Sequence, residues 1–123
     1  MREIKFRVWN KDDNKMYKVN GFINDLPFVD WIYDNDFEEY SIQDNYMVKN
    51  GELMQYTGVR DKNGKEIYEG DIVKYFTNEN AEITFRNGAF MVESNTDIDC
   101  MCSLYGEIEV IGNIYENEDL LEK

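Results

Sequence analysis

Leu53-Met54-Gln55-Tyr56-Thr57-Gly58-Val59-Arg60-Asp61-Lys62-Asn63-Gly64-Lys65-Glu66-Ile67-Tyr68-Glu69-Gly70-Asp71-Ile72-Val73 is the stretch that decides the fold. Its apolar residues recur with a period of two and are interrupted by glycines, which reads as short strands joined by tight turns. Gly58 permits a bend after the strand through Tyr56. Asn63-Gly64 is a two-residue turn signal of type I′. Gly70 allows close backbone approach before the strand that begins at Asp71, and the Asp71 carboxylate is placed to accept from a neighbouring backbone N–H.

Outward from this stretch the same period continues. Asp71 to Phe76 is a strand, and Ala81–Phe85 with Ala89–Glu93 form a hairpin around Asn87-Gly88. Glu107 to Tyr115 is a last strand broken by Gly112, and Asn117 caps a short helix that runs to Glu122. Upstream, Ile4, Phe6 and Val8 alternate with charged residues. The polar tract Asn10 to Lys15 is a turn, and Tyr17 and Val19 start the return strand, which closes an N-terminal hairpin. Residues 24–50 are an insert rich in acids and aromatics. Phe28, Trp31 and Ile32 fall at i, i+3 and i+4, the spacing of a short helix. Tyr46–Val48 is expected to pair with Leu53–Thr57 across Asn50-Gly51. The expected fold class is mainly β with one or two short helices. Residues 1–56 form an N-terminal β-rich region and 57–123 a small C-terminal barrel.

The central stretch resembles the YopX family of phage and prophage proteins. The opening Arg2-Glu3-Ile4-Lys5-Phe6-Arg7-Val8-Trp9, the later Lys15-Met16, and Glu109-Val110-Ile111-Gly112-Asn113-Ile114-Tyr115-Glu116-Asn117 resemble that family in the same order. The resemblance implies a C-terminal SH3-like barrel after an N-terminal β-rich part, in a phage or prophage protein of unestablished molecular function. It supplies no catalytic residues. Gln55, Tyr56, Thr57, Gly58, Asp61, Asn63, Gly64, Tyr68, Glu69, Gly70 and Asp71 are its motif residues; a folding role is the favoured reading of the motif, and a binding surface is the alternative.

Composition narrows the chemistry. The chain has 123 residues, 26 acids against 13 bases, a net charge of −13 and no histidine. Ser-His-Asp and Cys-His nucleophiles are therefore excluded, as are histidine zinc sites. No G-x-G-x-x-G or G-x-x-x-x-G-K-[ST] phosphate loop occurs. Cys100 and Cys102 are separated only by Met101, so a disulfide between them would be strained, and the chain has no disulfide framework. The first residues lack the apolar run of a signal peptide, and no 18-residue apolar run exists. The expected location is the cytoplasm of a bacterial host.

The charge is unevenly spread. Residues 1–20 carry +3, 21–56 carry −7, 57–93 carry −2 and 94–123 carry −7. Such asymmetry speaks to partners and assembly rather than to fold. Within the insert, Trp31, Tyr33, Phe37 and Tyr40 beside Asp34, Asp36, Glu38 and Glu39 are a candidate partner surface, since Tyr and Trp are favoured anchors. The competing assignment for these aromatics is core. The four acids are read first as solvated surface, with a divalent-cation site as the lesser alternative. Asp97, Asp99, Cys100 and Cys102 are a further acid–thiol group, set against a structural loop; a zinc site would need ligands that are not evident. Asp61-Lys62-Asn63-Gly64 is not a calcium loop, because its glycine falls at the fourth position rather than the sixth.

Three functions are open at this level. The first is a non-catalytic module that binds a phage or host protein, or a second copy of itself through its opposed charges, with no cofactor. The second is a nucleic-acid role, either as an acidic mimic of phosphates or through Trp9 and Tyr17 of the basic hairpin stacking on single strands. The third is a carboxylate- and metal-dependent hydrolase, which would need converging acids in a pocket.

Overall fold

The computed structural model describes residues 3–32, 42–75, 79–101 and 107–121. Among the described residues, eleven strands and a short C-terminal 3-10 helix make a mainly β chain with two antiparallel sheets. The chain divides into two compact units, one of Lys5–Met54 and one of Gln55–Lys123 with Met1–Ile4.

In the first unit, β1 (Phe6–Asn10) and β2 (Lys15–Ile23) form the expected hairpin, with Val8 opposite Tyr17 and Trp9 opposite Met16. Its loop is held by Asn10. The buried Asn10 side-chain oxygen accepts from the Asp12 N–H at 3.1 Å, and its carbonyl accepts from the Asn14 N–H at 2.8 Å. Next comes β3 (Leu26–Ile32), a strand where spacing suggested a helix. The reason lies just before it. Asn24 and Asp25 take φ of 51° and 66°, a two-residue turn that folds Leu26 back onto Ile23. Both residue types tolerate that conformation. Pro27 is accommodated within this strand.

β4 (Ile42–Met47) pairs with β3, and the start of β5 (Gly51–Arg60) lies beside β1. The hairpin expected across Asn50-Gly51 is therefore not formed. Gly51 instead marks a crossing. A Cβ there would lie 2.7 Å from both Val8 and Val48, so only glycine lets the chain pass these core valines. Val8, Val29 and Val48 form the buried core of this unit, with Tyr17, Val19 and Tyr46 packed against them.

In the second unit, the end of β5 pairs with β6 (Glu66–Tyr68), with Tyr56 opposite Tyr68. A five-stranded sheet follows in the order β10-β9-β8-β7-β11. It comprises β7 (Asp71–Tyr75), β8 (Glu79–Arg86), β9 (Ala89–Glu93), β10 (Ile98–Cys100) and β11 (Ile108–Asn113). Val73 opposite Ala81 and Ile83 opposite Val92 alternate onto one face. With Ile67, Met101 and Ile108 they make a fully buried apolar cluster. Each such side chain contributes roughly 1.5–3 kcal/mol of burial. Asn87 and Gly88 have φ of 53° and 79°, which is the type I′ turn that the sequence calls for. At Asn63-Gly64 only the glycine has positive φ, and the turn is closed by the Gly64 N–H donating to the Asp61 carbonyl at 3.0 Å. The register of β11 against β7 shifts between Val110 and Gly112, where the sequence places the break. The C-terminal helix is a single 3-10 turn, Glu118–Leu121, held to β8 by the Asn80 side-chain N–H on the Leu120 carbonyl.

Candidate functional site

The motif residues between Gln55 and Asp71 are brought together, and their polar groups are spent on backbone. The Gln55 carbonyl accepts from the Glu69 N–H at 2.9 Å. Thr57 Oγ1 donates to the Ile67 carbonyl at 2.7 Å, and the rings of the buried Tyr56 and Tyr68 lie 5.5 Å apart. Gly58 takes a φ of 90° at the irregularity in the β5–β6 register.

Asp61 holds three backbone N–H groups. It is 7% exposed. Its Oδ1 accepts from the N–H groups of Asn63 and Lys65 at 2.8 and 2.9 Å, and its Oδ2 accepts from Val110 at 2.9 Å. Lys62 N–H donates to the Ile108 carbonyl at 3.1 Å, and Asn63 Nδ2 donates to Glu109 Oε1 at 3.4 Å. The 61–65 turn thus lies along the outer side of β11, the last strand in its sheet, and occupies groups that an edge strand would otherwise offer to another chain. Burial works to raise the Asp61 carboxyl, but the N–H groups of Val110, Lys65 and Asn63, helped by the Lys65 charge, hold it below its ordinary value.

Asp71 is 1% exposed and accepts from the Tyr68 N–H at 2.7 Å. Gly70, with a φ of 88°, donates to the Ile83 carbonyl at 2.8 Å and accepts from the Ile114 N–H at 2.9 Å. The motif is a joint between β5, β6, β7 and β11. Its folding reading is the one that these bonds support.

The candidate partner surface of the insert is described only in part. Trp31 is in β3, opposite Gln43 in register. Tyr33, Asp34, Asp36, Phe37, Glu38, Glu39 and Tyr40 lie outside the described residues. Of the acid–thiol group, Asp99 and Cys100 are half-buried in β10, opposite Val92 and Met91, while Asp97 is spent on the Ile98 N–H at 3.0 Å. Cys102 lies outside the described residues. Among the described residues there is no group of three or more Cys, Asp or Glu side chains placed to hold a metal ion. In the basic hairpin, Trp9 is 9% exposed, and the half-buried Tyr17 donates its hydroxyl to Asp13.

The structure adds surface that sequence reasoning missed. Phe85 has the parity of Ala81 and Ile83, so it belongs to the core-facing row of β8, yet it is 50% exposed. Its ring meets Phe90 edge-on at 5.0 Å, and Phe90 packs against the core. The two flank the Asn87-Gly88 turn at positions that a two-residue hairpin puts opposite each other, so the pair was readable in advance. On the other face, Glu82 stands directly opposite Glu93. Arg86 grips Glu93 with two bonds of 2.8 and 3.2 Å. Burial and the charges of Glu93 and Glu69 push the Glu82 carboxyl up against a lowering pull from Arg86, and the Arg86 bond pulls Glu93 down. Ile98 continues that row at 45% exposure.

A family model described as YopX protein matches residues 5–122. The crystal structure of protein EF1440 from Enterococcus faecalis is similar in fold, with a TM-score of 0.72 and 30% sequence identity. That similarity covers 99% of this chain and 100% of the other. No curated protein matches the chain.

Proposed function

The chain belongs to the YopX family, and from that premise we propose that it is a non-catalytic module that binds another protein, of phage or host, or a second copy of itself. The observation that carries this reading is the Phe85–Phe90 pair, apolar area on a core-facing row that the described residues leave half open. The motif supports it indirectly, since its carboxylates at positions 61 and 71 are tied to backbone amides rather than directed at a ligand. The insert around Trp31 is the second candidate contact, and the five-stranded unit is read as the SH3-like barrel of the family resemblance. The phage context and the host cytoplasm belong to the same reading. No helix among the described residues is long and apolar enough to cross a membrane.

The alternative is an acidic nucleic-acid mimic or accessory protein, favoured by the −7 carried in residues 94–123. A carboxylate- and metal-dependent hydrolase ranks below both. Capture from infected and uninfected host lysate, run beside sedimentation at low and high salt, tests the first reading. A partner or dimer that is lost in Phe85→Ser is expected. A monomer that captures nothing above background, or captures the same protein with Phe85→Ser, overturns it. Displacement of the captured protein by DNA would favour the mimic.

A further inference from the structure

The chain contains four Asn-Gly pairs, Asn20-Gly21, Asn50-Gly51, Asn63-Gly64 and Asn87-Gly88. An asparagine before glycine is chemically labile, because no Cβ hinders the glycine nitrogen from reaching the asparagine side chain. The fold restrains three of the four. Asn20-Gly21 sits at the bulge of β2 where it pairs with β3, and a Cβ on Gly21 would be 2.7 Å from the Phe28 ring. Asn50 donates its Nδ2 to Asp12 at 3.3 Å and accepts the Lys11 N–H at 2.9 Å, while Gly51 is wedged against Val8 and Val48. At Asn63-Gly64 the attacking atom itself is engaged, since the Gly64 N–H donates to the Asp61 carbonyl, and both Asn63 nitrogens are bonded as well.

Asn87-Gly88 has none of these restraints. Both residues are exposed at the tip of the β8–β9 hairpin, nothing lies within 4 Å of the Gly88 Cβ position, and Asn87 forms no side-chain hydrogen bond among the described residues. We propose that Asn87 is the spontaneous deamidation site of the folded chain. The Gly88 nitrogen bonds to Asn87 Cγ as the Cγ–Nδ2 bond breaks, and the amide proton leaves with that nitrogen as ammonia. Water then opens the cyclic imide at either carbonyl, leaving aspartate or isoaspartate at position 87. Water is consumed and ammonia released, with no change of oxidation state.

The consequence is local. Either product adds a negative charge next to Arg86, which already serves Glu93. Aspartate fits the turn, because it tolerates positive φ as asparagine does. Isoaspartate inserts a methylene into a two-residue turn whose flanks, Arg86 and Ala89, are in strict register, so the Phe85–Phe90 pair would be disturbed.

The test is incubation of the intact chain at mildly alkaline pH, with digestion and mass spectrometry over time. The peptide holding residues 87 and 88 is expected to show the mass increase of amide-to-acid conversion several-fold faster than peptides holding the other three pairs. In urea the four rates should converge. If another pair leads in the folded chain, or if the ratios are the same folded and unfolded, the proposal is wrong.

Discussion

Asp61 shows what a single motif residue does in this fold. Three backbone N–H groups converge on its carboxylate, two from its own turn and one from β11, a strand 49 positions away. Asp61→Asn keeps the shape but replaces one acceptor with a donor, so at least one part-buried N–H loses its partner. The expected cost is about 1–3 kcal/mol, read by urea or thermal unfolding. The pH dependence has a definite sign. The folded value lies below the unfolded one, so the contribution is complete above the ordinary carboxylate range and is lost as pH falls through the lowered value. Asp61→Asn should lose that part of the acid limb. An unchanged melting curve would remove Asp61 from its place as a joint.

Glycines give a second contrast at this scale. Gly58 has a φ of 90° with nothing near its Cβ position, so Gly58→Ala should cost only the conformational term, roughly 1–2 kcal/mol. Gly21 has the reverse problem, ordinary φ but the Phe28 ring at 2.7 Å. Gly21→Ala should therefore be partly rescued by Phe28→Leu, whereas Gly58→Ala should not. Denaturant midpoints of the three single and two double variants check this. Additive losses would mean that the ring is not the obstacle.

At the scale of elements, the β8–β9 ladder places Glu82 and Glu93 face to face and gives Arg86 to only one of them. The Glu82 carboxyl is raised, so the folded chain holds that proton more tightly than the unfolded chain does. Its stability contribution therefore improves as pH falls from neutral through the raised value, and is complete below the ordinary glutamate value. Glu82→Gln is expected to raise the melting temperature at neutral pH, with an advantage that shrinks toward acid pH. A variant that is equally or less stable at neutral pH would show that Arg86 already compensates both carboxylates.

The strands themselves were largely legible. Alternation gave β1, β2, β7, β8, β9 and β11 to within a few residues, because apolar residues recur at every second position of these strands. β3 was misread because Phe28, Trp31 and Ile32 fit a helical spacing, while Asn24-Asp25 acts as a turn pair without containing glycine. The partner of β4 was misread for a different reason. Asn50-Gly51 is a local hairpin signal, and the long-range order β4-β3-β2-β1-β5 overrode it. Gly51 is needed there for close passage, which leaves the same dipeptide in the sequence.

For the whole molecule, the governing quantity is a net charge of −13 on 123 residues. The ion pairs Lys11–Glu52 at 2.7 Å and Lys62–Glu109 at 3.8 Å are exposed and weak. Self-repulsion outweighs them, so added sodium chloride should raise the melting temperature as screening grows. A melting temperature that falls with salt would mean that specific pairs dominate.

The sequence by itself determined the fold class, the family, the turn at Asn87-Gly88 and the unequal placement of charge, because periodicity, turn chemistry and composition are local properties. Only the tertiary structure decided that the motif acids hold backbone, that Phe85 stands half outside the core, that Glu82 faces Glu93, and which Asn-Gly pair is left unrestrained. Each of these depends on pairings between distant strands, and a hydrogen-bond partner or a covering side chain supplied from far along the chain leaves no mark on the residues beside it.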